Sequence, residues 1–295
     1  MTEPNAASRG EGGGARGTDL EFAYLVRRLR ELSGFDLGQY KSEQVERRTR
    51  QWMQRRGITS MAMLVRMLER DAELLRSLVN HLNINTSQFF RDPAVFEALR
   101  QRVLPELLRA HGQLRIWSAG CSIGAEPYTI AILLDLLGQG GRHYILATDI
   151  DDDALEVARR AEYHDVHLMT VPAPVRQRYF TPAGPSAWSL AEPIRRAVQF
   201  RRHDLLQDPP PSGFHLILCR HVLIYLTPDG QHRLLQRLSG ALWDGGYLVV
   251  GGPETVPQPA TFGLQRVEHC IYRRVSPGPP SARPAPWAQP TSRGS

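Results

Sequence analysis

A chain of 295 residues, 42% hydrophobic and 22% charged, carries enough apolar material for one large core or two modest ones. No stretch reaches the roughly 18 uninterrupted apolar residues of a membrane-spanning helix, and the opening MTEPNAASRGEGGGARG lacks the apolar block of a secretory leader. The expectation is a cytoplasmic protein without membrane insertion. The formal charge of +6 favours an acidic partner, and the three widely spaced cysteines, with no Cys-x-x-Cys pair, suggest neither a disulfide framework nor a zinc site, so no metal is assigned.

Residues 1–17 and 276–295, rich in Gly, Ala, Ser and Pro, cannot bury enough apolar surface to offset the entropy of ordering and are expected as disordered tails. Between them LEFAYLVRRLREL, SEQVERRTRQWMQRR ending at Gly57, SMAMLVRMLER and AELLRSLVNHL repeat apolar residues at three and four. That spacing predicts an N-terminal all-helical domain over residues 18–100. From Leu114 the pattern changes. LRIW, HYILATD, FHLILC and GGYLVVGG read as strands, with AEPYTIAILLDLL, DDDALEVARRA and PDGQHRLLQRLSGAL as helices between them and Gly245-Gly246 as the turn into the last strand. The alternation predicts an α/β, Rossmann-like domain over residues 101–275. Within it AWSLA and AVQFRR, at about 184–202, read as a small antiparallel β-subdomain.

The run WSAGCSIGAEPY carries an apolar strand into a turn with Gly120 and Gly124 before a helix, a place where a nucleotide-type ligand lies against bare backbone. Asp149 ends the next strand, where a carboxylate accepts both hydrogen bonds of a ribose diol. A dinucleotide would want Gly-x-Gly-x-x-Gly; here Gly-x-x-x-Gly is followed by Glu126, which repels a pyrophosphate and suits an ammonium or a sugar hydroxyl. Read alone, the same residues would also serve a plain tight turn with Glu126 at a helix start.

NTSQFFR (Asn85 to Arg91), WSAGCSIGAEPY, ATDID, LCRHVLIYL and GGPE, in this order and spacing, resemble the chemotaxis receptor (protein-glutamate O-) methyltransferases, the CheR type, from about Asp19 to Arg274. The resemblance implies an S-adenosylmethionine-dependent enzyme that esterifies glutamates on chemoreceptor helices. It further implies that Asn85, Ser87 and Arg91 come from the helical domain to close over the cofactor. Glu126 and Asp149 would hold its methionine or ribose end, and Asp204 with Leu205, and His221 with Val222, would flank the adenine and the sulfonium. Ser87 stands where threonine is common, Asp204 and His221 where asparagine is, Ala125 where a glutamate is and Pro253 where a serine is.

Esterifying a glutamate requires no general base, because a carboxylate of pKa about 4.3 is already ionised. Catalysis then consists of alignment and exclusion of water. Arg91, able to grip a carboxylate through two hydrogen bonds, is the first catalytic candidate and Tyr225 the second. A surface ion pair of Arg91 with Asp92 and a half-buried core role for Tyr225 are the structural readings of the same residues. The helix around Arg47, Arg48, Arg50 and Arg55 presents positive charge, read either as a solvated face or as the docking surface for acidic receptor helices. Two rivals remain: a methyltransferase acting on nucleic acid or another protein, and a non-catalytic S-adenosylmethionine-binding regulator in which Ala125, His221 and Pro253 have traded turnover for sensing. No basic cluster interleaved with stacking aromatics supports nucleic acid as partner. A monomer is the expected state.

Overall fold

Apolar residues at helical spacing build the first unit. The computed structural model describes residues 13–82 and 87–275; residues 1–12, the C-terminal tail and Asn85 lie outside the described residues. The chain divides into two units, Met1–Ile84 with Tyr225–Gly230, and Asn85–Ile224 with Gln231–Ser295. In the first, α1 (Gly13–Ser33), α2 (Ser42–Arg55), α3 (Met61–Leu68) and α4 (Ala72–Leu82) bury Leu25 and Leu29, Val45 and Trp52, Leu64 and Leu68, and Leu78. Helix α1 starts within the stretch expected as a tail, because each residue added to a nucleated helix gains a hydrogen bond for the one residue it fixes. Ser60 caps α3 by accepting from the Met63 N–H at 3.1 Å, and Asp71 caps α4 through the Glu73 and Leu74 N–H groups. Arg48 is half-buried and donates to the His81 carbonyl, tying α2 to α4.

The segment Tyr225–Gly230, expected in the α/β domain, groups instead with these helices. Its backbone explains why: the Lys41 N–H donates to the Tyr225 carbonyl at 2.9 Å, and the Thr227 N–H to the Gln39 carbonyl at 2.8 Å.

In the second unit α5 (Pro93–Ala98), a π-type turn over Leu99–Val103 and α6 (Leu104–His111) lead into β1 (Arg115–Ala119). There follow α7 (Ala125–Leu136), β2 (Tyr144–Asp149), α8 (Asp152–Arg160), β3 (Glu162–His164), α9 (Ala173–Tyr179), β4 (Phe180–Gly184), β5 (Ala187–Leu190), α10 (Glu192–Arg196) and β6 (Val198–Arg202). Last come β7 (Phe214–Cys219), α11 (Pro228–Ala241, of which Gln231 onward belongs to this unit), β8 (Leu242–Val250), β9 (Leu264–Glu268) and β10 (Ile271–Arg274). The large sheet has the order β6-β2-β1-β7-β8-β10-β9. Strands β6 to β8 of that order are parallel, and β10 and β9 close it as an antiparallel hairpin. This is the Rossmann-like sheet that the alternating pattern predicts. Its middle strands are buried on both faces, as near-continuous apolar runs require.

Three further sequence expectations change. AVQFRR does not pair with AWSLA; it forms β6, parallel to β2, while β5 lies between β3 and β4 in a separate three-stranded antiparallel sheet. Gly245 and Gly246 do not precede the last strand but lie inside β8, at a register shift against β7, with Gly245 at φ +79°. Such a bulge lets the strand continue through a left-handed residue. Residues 87–100, expected with the helical domain, belong to the second unit: the Phe89 ring meets Tyr163 and Phe180 edge-on at 4.8 and 5.0 Å, and its N–H donates to His167.

Helix α7 is buried from Ala125 to Leu134 almost without interruption. Its first turn fits because Gly124, at φ +84°, has no side chain; a Cβ there would stand 2.9 Å from the Ala158 Cβ and 3.1 Å from the Phe200 ring. Gly124→Ala therefore meets both backbone strain and a fixed wall. We expect it to lower stability by about 2 kcal/mol or more, read as a fall of several degrees in the thermal midpoint; an unchanged midpoint would contradict this packing.

Candidate functional site

Strands β1, β2 and β7 end side by side at Ala119, Asp149 and Cys219, and the chain order reverses between β2 and β7 on either side of β1. A crevice outside the carboxyl ends of parallel strands at such a reversal is where open α/β sheets bind ligands. At the exit of β1, Gly120 takes φ +80° and donates its N–H to Thr148 at 2.8 Å. A Cβ at Gly120 would lie 2.8 Å from the Val222 Cγ2 and 3.9 Å from the Leu205 Cδ1, so these two predicted contact residues border the bare backbone of this turn. Gly120 thus forms a cradle that any side chain would fill. Gly124 has a different role, set by the packing of α7.

Asp149 is 9% exposed. One carboxylate oxygen accepts from the Ser122 N–H at 2.7 Å and the other from the Asp151 N–H at 3.0 Å, which fastens the turn after β1 to the end of β2. Each oxygen keeps a further lone pair with which to accept from a hydroxyl. Burial pushes this carboxyl up to about 6, with the charge of Asp151 acting in the same direction and the N–H groups of Asp151, Ser122 and Ile150 pulling it down.

Arg220 follows β7 directly, and its side chain is only 2% exposed. Its Nη1 donates to Glu126 Oε2 at 3.2 Å, while Nη2 reaches the Arg91 carbonyl at 2.6 Å and Asp92 Oδ2 at 2.8 Å; the plane lies 4.9 Å from the Phe96 ring. The other oxygen of Glu126 accepts from the Ser118 hydroxyl at 2.7 Å. His221, at φ +60°, places Nε2 3.0 Å from the same Asp92 oxygen. Histidine is among the few residues enriched in that left-handed region, as is asparagine. Burial first, then the charges of Arg91 and Arg220, hold the His221 imidazole below its usual range. Glu254 anchors the loop from behind, accepting the N–H groups of His221, Ile224 and Gly251 at 2.8, 3.2 and 2.6 Å.

The structure therefore brings Glu126, Asp149, Leu205, Val222, His221 and the backbone of Arg91 to one end of the sheet. Ser87 is half-buried in the segment leading there. Asp204 uses its carboxylate to accept from the Leu206 and Gln207 N–H groups at 2.8 and 3.1 Å, shaping the loop that presents Leu205. That task asks for an acceptor alone, which aspartate supplies as well as asparagine does. Tyr225 falls in the helical unit. Asp92, suggested as an ion partner of Arg91, binds Arg220 and His221. His203 and His215 have partners in the fold: His203 meets the Pro209 carbonyl at 3.1 Å, and His215 accepts from the Arg115 N–H at 2.9 Å, with burial pushing it down to about 4. Among the described residues no cluster of three His, Cys, Asp or Glu side chains is placed to hold a metal.

Arg220, Asp92 and Glu254 carry this arrangement, yet the motif reading gave Arg220 and Glu254 no role of their own and Asp92 only that of an ion partner to Arg91. The available signal was an arginine placed directly after the apolar run FHLILC, at the carboxyl end of a strand.

Residues 85–271 match the family model described as CheR methyltransferase, SAM binding domain, and residues 20–82 match CheR methyltransferase, all-alpha domain. A chemotaxis protein methyltransferase of Listeria monocytogenes is 37% identical over 258 residues, covering 86% of this chain and 98% of that protein. Chemotaxis protein methyltransferase 1 of Pseudomonas aeruginosa is 38% identical over 239 residues, 77% of this chain and 87% of the relative.

The Asp149 environment has a measurable consequence. Since its folded pKa of about 6 lies above the ordinary 3.8, folding favours the protonated form. The associated stabilisation is complete below about pH 4 and is lost as pH rises through 6. Carbonyl-carbon NMR of the free protein should show Asp149 titrating near pH 6; a titration near 4 would refute the desolvated assignment.

Proposed function

We propose that this chain, which belongs to the CheR methyltransferase family, transfers the methyl group of S-adenosylmethionine to glutamate side chains on the helices of chemoreceptors, leaving methyl esters. The family makes it an S-adenosylmethionine-dependent methyltransferase of chemotaxis; the receptor glutamates are our reading. The observation that carries it is that one buried guanidinium, Arg220, holds both the Glu126 carboxylate and the backbone of Arg91. A second cation, Arg91, is thereby stationed beside the cofactor end of the sheet, where an anionic acceptor is needed.

The residues fit the cofactor. Asp149 offers unused lone pairs to a ribose diol, Glu126 offers a carboxylate to an ammonium, and the Gly120 cradle between Leu205 and Val222 accepts a flat apolar base. Ser87, Asp204 and His221 complete this set, and Asn85 belongs to it by position. When bound, the cofactor supplies an electrophilic methyl on a sulfonium. Arg91 orients the acceptor carboxylate through paired hydrogen bonds, and Tyr225 is a second candidate for that task. The incoming glutamate is ionised at neutral pH, so no residue need remove a proton.

For the acceptor, the exposed cations of α2 are Arg47, Arg50 and Arg55, with Arg50 paired to Glu46 at 2.6 Å; Arg48 is committed to α4. This face suits acidic helices and would act mainly on the rate of encounter. The protein works as a monomer in the cytoplasm in this reading.

The test is transfer of radiolabelled methyl to membranes bearing the host's chemoreceptors, with base-labile esters as product. Arg91→Ala is expected to reduce transfer by about 100-fold or more with the circular dichroism spectrum unchanged; wild-type turnover in this variant would remove Arg91 from the reaction, and label in RNA would replace the acceptor. Raising salt to several times about 0.1 M should slow transfer. A rate independent of salt would dismiss the α2 face as a docking surface.

A further inference from the structure

The backbone around Arg91 is forced. Phe90 and Asp92 on either side of it take φ +53° and +60°, and His221 takes +60°. Residues with side chains hold that region only where the surroundings fix them, and such outliers gather at functional sites. Asp92 stands at the N-cap of α5, where an aspartate ordinarily accepts from a helix amide, yet its side chain makes no capping hydrogen bond. Its Oδ2 is turned the other way, accepting from Arg220 Nη2 at 2.8 Å and His221 Nε2 at 3.0 Å. The same Arg220 nitrogen holds the Arg91 carbonyl at 2.6 Å, and His221 is itself pinned through its N–H to Glu254 at 2.8 Å.

An aspartate selected only to start a helix would spend its carboxylate on the helix. This one joins two residues at the end of β7 to the turn that carries Arg91. We propose that Asp92 is a positioning residue for Arg91: the double grip of Arg220 and His221 on its carboxylate fixes the turn, and with it the direction in which the Arg91 guanidinium leaves the backbone. The inference rests on the reading that Arg91 orients the acceptor carboxylate. It adds that this orientation is set by an anion which itself touches neither acceptor nor methyl. Partial burial pulls the Asp92 carboxyl upward, but the charges and hydrogen bonds of Arg220 and His221 outweigh it and keep the group ionised, so it acts as an acceptor for both donors.

Asp92→Asn retains size and tolerates the left-handed backbone, while Asp92→Gly retains that backbone and deletes the side chain. With saturating cofactor and receptor-bearing membranes, both variants should lose about 10- to 100-fold in kcat, while cofactor Kd by calorimetry rises by clearly less, since Glu126 keeps Arg220 Nη1 and the Ser118 hydroxyl and Asp149 keeps its own N–H donors; a Kd that rises as far as kcat falls overturns the positioning role. In an Arg91→Ala background, assayed at raised enzyme concentration so that residual transfer can be read, the additional loss from Asp92→Asn should vanish, because a residue acting through the Arg91 side chain has nothing left to position. Wild-type kcat in Asp92→Asn overturns the proposal, as does an equal loss in both backgrounds. Arg91→Ala separates the two readings. If it is inactive while Asp92→Asn is normal, only the positioning role falls; if Arg91→Ala is itself normal, the role of Arg91 falls first.

Discussion

A guanidinium withdrawn from water is tolerated only when acceptors surround it, and Arg220 finds them in Glu126, Asp92 and the Arg91 carbonyl. Those three partners lie on the helix after β1 and on the turn before α5, so one side chain at the end of β7 holds together parts of the chain that are distant in sequence. Removing it would take the cationic partner from both carboxylates, leaving Glu126 its Ser118 hydroxyl and Asp92 its His221 imidazole. Arginine is suited to this because its planar fork reaches several acceptors at once, where a lysine would act as a single point of charge.

Around that cation the polar groups form a frame. Glu254 gathers three backbone N–H groups, Asp149 gathers two, and Asp151 gathers the first amides of α8. Carboxylates are used here as acceptors for backbone groups that loops would otherwise leave unsatisfied. The result is one end of the sheet whose loops are held by the protein's own groups, which suits the transfer proposed above, where the acceptor is already ionised and alignment is most of what the protein contributes.

Much of this was legible beforehand where the signal is local. Apolar runs marked β1, β2, β7 and β8, and helical spacing marked α1 to α4, because burial on two faces or on one stripe dictates which residues can stand there. Gly120, Glu126 and Asp149 were legible from their spacing about a strand–turn–helix. What escaped was non-local. The strand β6 reads like a hairpin partner because its alternation is that of any half-exposed strand, and only its pairing with β2 decides otherwise. Arg220 and Asp92 are 128 residues apart, so neither residue's neighbours announce the other. Gly124 was read as making room for a ligand, whereas its φ and its neighbours Ala158 and Phe200 make it a packing position. A glycine motif records that a side chain is forbidden, not what forbids it.

The return of Tyr225–Gly230 to the helical unit has a consequence for how this polypeptide can be divided. Lys41 and Gln39 complete their backbone pairing with residues encoded nearly two hundred positions later. A fragment ending at Ile84 would carry the four helices but not the strip of chain against which the entrance to α2 is bonded. Recombination at that boundary therefore does not exchange the helical unit as a self-sufficient cassette: a substituted N-terminal half must remain compatible with a six-residue visitor supplied by the rest of the chain.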